Sequence, residues 1–203
     1  ESIGRMFSQT YYYAWIPATL LSHAVDVAVW GMNPRGHHLT NVLLHSLNAV
    51  LLFLVGLIVF DAARRTGKVG GTPAFVERIT SSMLLGAAVG AMLFAMHPLR
   101  VESVAWVSGR KDLLCAVFLL PSFGAYLVWK VRGERKWLIG SIVLFALALL
   151  AKPMAAPFPV ILLLVDVWLV GKAGDELKPL AGLLKEKLVF FLLSGCAAFM
   201  TMS

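Results

Sequence analysis

The sequence predicts an all-α fold, a polytopic helical membrane protein, and three observations carry that prediction. Hydrophobic residues make up 59% of the 203, and mean hydropathy is +0.81, whereas soluble domains hold roughly 45–50% apolar residues. Several apolar runs reach or approach the roughly 20 residues needed to cross a ~30 Å hydrocarbon core. Charged residues amount to only 14%, and most of them fall between the runs.

Taken in order, Tyr11 to Trp30 is aromatic-rich and amphipathic, a pattern suited to lying along an interface. Residues 1–37 therefore read as an interfacial segment, and residues 38–203 as a transmembrane domain of about six helices. His38 to Phe60 is the first span. Ile79 to Met96 is the second and carries "GAAVG" (Gly86 to Gly90), a spacing of small residues that lets helix backbones approach. Leu113 to Trp129 is the third, with Pro121 as an expected kink. Trp137 to Leu150 and Pro157 to Val170 are short and read as a hairpin around "AKPMAAPFP". A sixth run extends from Leu188 to Ser203. Glu1 is not an initiator Met and the last run stops without a closing loop, so the chain reads as an excerpt of a longer polypeptide.

The net charge of +7 reads as topology, because membrane proteins concentrate Lys and Arg in cytoplasmic loops. No basic patch is interleaved with aromatics, so nucleic acid is not an expected partner. Cys115 and Cys196 sit in apolar runs and read as free buried thiols rather than a disulfide or metal site.

Twelve of the 18 basic residues fall in alternate loops. They are Arg64, Arg65, Lys68 and Arg78; Lys130, Arg132, Arg135 and Lys136; and Lys172, Lys178, Lys185 and Lys187. The positive-inside rule makes those loops cytoplasmic and turns the N-terminal end outward. The exceptions are Arg5, Arg35, Arg100, Arg110, Lys111 and Lys152, and the five histidines share their side. Ionisable residues beside a membrane are functional hypotheses by default. Snorkelling to headgroups, or mutual pairing, is the structural alternative.

"HLTNVLLHSLNAV" puts His38, Asn41, His45 and Asn48 on one helix face. His38 and His45 are about 10 Å apart along a helix, too far to share one ion, so interhelical hydrogen bonding is expected and no metal site is assigned. His23 and Asp26 read as a local pair without assigned chemistry.

Three stretches taken together, "NPRGHHLTNVLLHSLNAVLLF", "MHPLRVESVAWVSGRKDLL" and "AKPMAAPFPVILLLVDVW", resemble a series seen in GT-C superfamily membrane glycosyltransferases. The pattern is that of bacterial relatives of the transmembrane and tetratricopeptide-repeat O-mannosyltransferases, and it covers Tyr11 to about Trp168. The resemblance implies a polyprenyl- or dolichyl-phosphate sugar donor and an acceptor protein or glycan on the extracytoplasmic face. It also implies a repeat domain beyond the C-terminus and a bacterial inner-membrane location. The catalytic acid is expected upstream of Glu1, and any divalent metal belongs to the full-length enzyme, so no cofactor is assigned within this chain. Where relatives carry an Arg-Pro pair, Ala14, Trp15 and Ile16 precede Pro17 here.

A lipid-phosphate donor needs fixed cations where the leaving phosphate gains charge. Arg100, Arg110, Lys111 and Lys152 have that chemistry on the expected side and form the candidate phosphate-binding set, with Arg110, Lys111 and Lys152 converging on one cavity. His97, Glu102, Trp106 and Asp112 are supporting residues. A helix through residues 101–112 would line Glu102, Trp106 and Arg110 along one face, with Trp106 as packing or a sugar-stacking surface. Glu102 and Asp112 read first as counter-ions to Arg110 and Lys111. Two alternatives to glycosyl transfer stand: a non-catalytic subunit scaffolding other membrane subunits, and a transporter or flippase with broken helices at the midplane.

Overall fold

The structure, a computed structural model, describes residues 15–65, 79–173 and 180–202. Tyr11 to Ala14, Arg5, Lys68, Arg78, Lys178 and Ser203 lie outside the described residues. Among those described there are helices and turns and no strand. The helices are α1 (Pro17–Trp30), α2 (Pro34–Arg65), α3 (Ser81–Met96), α4 (Arg100–Ala105), α5 (Arg110–Arg132), α6 (Arg135–Ala151), α7 (Phe158–Ala173) and α8 (Leu180–Met202). Short 3-10 turns at Val107–Gly109 and Pro153–Ala155 lead into α5 and out of α6.

Among the described residues, Pro34–Arg64 and Val107–Arg132 are the two stretches long and apolar enough to cross a membrane, and Ser81–Met96 and Pro153–Leu169 are shorter apolar helices. That is fewer than the six spans expected. The 16 residues of α3 rise only about 24 Å at 1.5 Å each, and α8 carries Lys185, Glu186 and Lys187 inside its helix. On α2, Leu39, Val42, Leu43, Leu47, Val50 and Leu54 are exposed. An uncovered apolar face of that length suits hydrocarbon and not water.

Three contacts organise the bundle. α5 packs most extensively on α6 and on α2, and α2 packs on α3. Between α2 and α3 the buried residues are Leu57, Met83 and Ala87. A Cβ on Gly56 would sit 3.2 Å from the Ala87 methyl, one on Gly86 would sit 3.1 Å from the Phe60 ring, and Gly90 faces open space. Half of the "GAAVG" spacing therefore serves close approach, with Gly56 as its unforeseen partner. The second core is aromatic. Phe145 stands 5.2 Å from Phe158 and 5.5 Å from Phe190, and Tyr126 stands 6.3 Å from Phe190.

α5 runs through Pro121. It ends at Gly133, whose φ of 73° is left-handed and whose N–H bonds the Trp129 carbonyl at 2.7 Å, a conformation that costs glycine no Cβ clash. Next to Pro121, Ser122 and Ser141 each donate a hydroxyl to the other's carbonyl at 2.8 Å, tying α5 to α6.

Three sequence expectations are corrected here. Cys196 is exposed on α8, because the buried face of that helix carries Leu183, Phe190 and Ala197. Lys187 is no loop cation: it lies fully buried in α8, paired with Asp166 of α7. His38 is exposed while its neighbour His37 turns inward; at 100° per residue His37, Asn41 and Asn48 fall within about 40° of one another.

Candidate functional site

The N-terminal end of α5 collects the polar residues the sequence singled out. Arg110, first residue of α5, is fully buried. Its guanidinium pairs with Asp26 of α1 at 2.5 Å. Nε donates to Asn41 Oδ1 at 2.9 Å, and one terminal nitrogen donates to the His37 carbonyl at 2.9 Å. The other faces the Ser22 carbonyl and hydroxyl, each at 3.4 Å. Four donated hydrogen bonds and one ion pair thus surround the guanidinium, close to the full donor capacity of an arginine.

Asp26, His37 and Asn41 of this shell are themselves held. Asp26 accepts the Thr40 hydroxyl at 3.0 Å through its other oxygen and lies 3.3 Å from His37 Nδ1. His37 Nε2 lies 3.0 Å from the Gly31 carbonyl, which accepts its proton. The Asn41 amide donates to the Val104 and Trp106 carbonyls at 3.3 and 3.1 Å. One asparagine therefore fixes both Arg110 and the turn that leads to it. Burial first, and the positive charge of Arg110 second, hold the nearby His23 imidazole down to about 4.

That turn breaks the face expected of residues 101–112. α4 ends at Ala105, Trp106 is extended, and a 3-10 turn precedes Arg110. Gly109 permits the fold-back, since a Cβ there would lie 2.8 Å from Ser103 Cα. Glu102, Trp106 and Arg110 consequently do not share a helix face. Glu102 and Trp106 are exposed while Arg110 is buried.

The remaining candidates separate in the same way. Asp112 pairs with Lys152, each side chain partly open at 29% and 23%. Asp112 thus neutralises Lys152, whereas the counter-ion of Arg110 is Asp26. Two residues along a helix are turned 200° apart, so Arg110 looks toward α1 and α2 while Asp112 looks toward the α6 end. Lys111, between them, is half-buried. Arg100 is exposed with its guanidinium 4.6 Å above the Phe94 ring, a cation–π contact. His97 ends α3 and its Nδ1 accepts the Leu99 N–H at 3.3 Å. Arg110 and Lys152 share no carboxylate, so two of the three cations expected to converge sit in separate ion pairs.

The polar stripe of α2 works mostly as hydrogen-bonding glue. Asn48 donates to the Leu113 carbonyl at 2.9 Å and His45 Nε2 meets the Ala95 carbonyl at 3.1 Å. Among the described residues no group of three His, Cys, Asp or Glu is placed to hold a metal ion.

A second charged cluster, unforeseen from the sequence, lies at the other end of α5. Asp166 of α7 is buried and accepts the Tyr126 hydroxyl at 2.9 Å, Lys130 at 3.0 Å, and the buried Lys187 of α8. Lys130 also reaches Glu186 at 2.6 Å. The readable signal was a lone Asp in the apolar run "PVILLLVDVWLV", which requires a partner.

The chain is 32% identical over 178 residues to Protein O-mannosyl-transferase TMTC4 of Mus musculus, covering 83% of this chain and 23% of that protein. It is 33% identical to the TMTC4 of Homo sapiens, again over 83% of the chain and 23% of the relative. This chain is a relative of the protein O-mannosyl-transferases. A further such transferase, Tmtc1 of Drosophila melanogaster, is 29% identical over 92% of the chain and 18% of its own length. The chain thus spans about a quarter or less of the transferases it matches. No family model matches it, and no solved structure does.

Proposed function

We propose that this chain is the membrane-embedded part of a GT-C type glycosyltransferase. It moves a sugar from a polyprenyl- or dolichyl-phosphate donor to an acceptor protein or glycan. The similarity to O-mannosyl-transferases over 83% of the chain carries the reaction class. The donor type rests on chemistry: in transfer, the acceptor hydroxyl oxygen bonds the anomeric carbon while the bond from that carbon to the phosphate oxygen breaks. The electron pair stays on the phosphate, and the hydroxyl proton goes to a base, for which an acid upstream of Glu1 is the candidate. Cations fixed beside the phosphate favour that step because they meet charge as it develops. Lys152, Lys111 and Arg100 are the cations suited to this contact. Arg110, with its donors engaged internally, fixes α1 and the α4–α5 turn in place.

In this reading α2, α3, α5, α6, α7 and α8 all cross a bacterial inner membrane. The α5 N-terminal end is extracytoplasmic, and the exposed valines of α1 (Val25, Val27, Val29) rest in the outer leaflet. Any divalent metal would be held outside this chain. Scaffolding within a larger membrane assembly is the second reading, favoured by the observation that Arg110 and Lys152 already have internal counter-ions.

The test is transfer by the full-length protein in membranes, supplied with radiolabelled polyprenyl-phosphate mannose or with nucleotide-linked mannose. Label entering protein or glycan from the lipid donor, and reduced tenfold or more by Lys152→Ala, supports transfer. Wild-type membranes that transfer nothing above an empty-vector control leave the scaffold reading.

A further inference from the structure

We propose that Asp112 is a built-in competitor for phosphate at Lys152: the lysine rests on Asp112 and exchanges it for the phosphate of a lipid-linked ligand. The inference deepens the function proposed above and rests on it for the identity of the lipid. It begins from a contrast between the two ion pairs at this end of the bundle. Asp26–Arg110 is closed, with the guanidinium at 0% exposure. Asp112–Lys152 is open to about a quarter on both sides, so an anion can reach Lys152 without unpacking a core.

The backbone on both sides of that pair is held, while the Lys152 side chain is 23% exposed. The Lys152 N–H bonds the Ala148 carbonyl at 2.9 Å and its own carbonyl accepts from Ala155 at 3.1 Å. The preceding carbonyl, of Ala151, accepts the buried Thr19 hydroxyl of α1 at 3.0 Å, and Pro153 follows. Asp112 stands in the first turn of α5, two residues from the immobilised Arg110. Four methylenes separate the fixed Lys152 backbone from its ammonium. That ammonium is a compact charge on a flexible stem, able to swing between carboxylate and phosphate.

Charge explains why such a competitor is useful. A lipid-phosphate sugar is a phosphodiester with one negative charge. The lipid monophosphate left after transfer carries about 1.5 to 2 at neutral pH. Bare cations would therefore hold product more tightly than donor. A carboxylate waiting to retake Lys152 weakens the hold on both ligands and speeds release. Once displaced, it repels the more highly charged product more than the donor, offsetting part of that advantage. Asp112 is on this account a positioning and release residue that need not touch the reacting atoms.

The experiment measures binding of polyprenyl monophosphate to the full-length protein in nanodiscs of zwitterionic lipid, with inorganic phosphate as the parallel probe. Asp112→Asn is expected to tighten monophosphate binding by about three- to tenfold, the range for a partly exposed pair. Lys152→Gln is expected to weaken it, and the double variant to behave as Lys152→Gln does. In transfer assays Asp112→Asn should lower kcat with stronger inhibition by added polyprenyl monophosphate, an effect a merely structural ion pair would not produce. Thermal unfolding of each variant checks that the fold persists. Tightening with polyprenyl monophosphate alone assigns the site to lipid; equal tightening with inorganic phosphate assigns it to the phosphate group itself. Asp112→Asn that binds no tighter than wild type, while folded, overturns the exchange even if transfer occurs. Tightening in a protein that transfers no sugar keeps the exchange and overturns the transferase reading.

Discussion

At its N-terminal end α5 turns Arg110 into a shell made by α1 and α2. At its C-terminal end, about 30 Å away along the helix, it offers Tyr126 and Lys130 to an aspartate on α7 and a lysine on α8. The first shell holds one cation, one carboxylate and a set of neutral acceptors: an amide, a hydroxyl and two carbonyls. The second has two lysines sharing one buried carboxylate, with Glu186 at its rim. Nothing in the first can replace Arg110. In the second, Lys130 already touches the carboxylate that Lys187 would leave. The two ends should therefore differ in side of the membrane, in sensitivity to mutation and in response to pH.

The largest expected difference is all-or-none. In a background with Cys115 and Cys196 changed to Ser, Ser108→Cys and Arg135→Cys should react with an impermeant thiol reagent from opposite sides of a sealed membrane. Arg135 is preferred to Gly133 because a side chain at the positive φ of Gly133 is strained. Reaction of both from one side would place the two clusters together and remove the outward assignment of Lys152.

Next in size is stability. Arg110→Ala leaves Asp26 buried with only His37 and Thr40 for company. Breaking a buried pair from one side costs about 3–5 kcal/mol. Lys187→Ala should cost less, roughly 1–3 kcal/mol, since Lys130 and Tyr126 still satisfy Asp166. Thermal unfolding in detergent ranks the two. A double change, Arg110→Met with Asp26→Leu, should recover much of the first loss, because the expense lies in the orphaned charge. Equal losses at the two ends would dissolve the distinction between a closed pair and a shared one.

Much of this was legible in the sequence, and the reasons for the remainder are specific. Apolar runs located the helices because hydrocarbon length and period are local properties. The gathering of chemistry before α5 was legible because charges against the positive-inside trend stand out. Partner choice was not. Asp26 and Arg110 are 84 residues apart, and no local rule connects an acid in α1 to a cation beyond three intervening helices. Lys187 was misplaced because a lysine near a loop and a lysine entering a helix to meet Asp166 read alike in one dimension. The turn at Trp106 escaped because Asn41, far upstream, accepts the cost of breaking the helix there.

A smaller effect separates the ends by pH. His23 belongs only to the Arg110 end, and burial with the nearby guanidinium holds it at about 4 when folded, against an unfolded value of 6.5. Between those values the unfolded chain binds the extra proton, so stability is complete above about 6.5 and is lost as pH falls toward 4. The half-exposed ring reduces the effect to on the order of 1 kcal/mol. His23→Gln should flatten the difference in unfolding temperature between pH 7 and 5. An unchanged slope in that variant would assign the acid sensitivity to carboxylates instead.

The smallest expected effect lies between the two ends, where Ser122 and Ser141 exchange hydroxyl hydrogen bonds at 2.8 Å. Each hydroxyl donates to a helical carbonyl that also belongs to its own backbone ladder, so removing one orphans nothing. Hydrogen bonds between membrane helices average about 0.6 kcal/mol in double-mutant cycles. Ser122→Ala should therefore cost about that much, far less than either charged cluster. The symmetry makes a cycle informative: the hydroxyls also lie 3.2 Å apart, so Ser122→Ala and Ser141→Ala should couple weakly. If the double variant instead loses several kcal/mol, the serines are holding α5 on α6 against strain at Pro121. The stability of the midsection would then rival that of the charged ends.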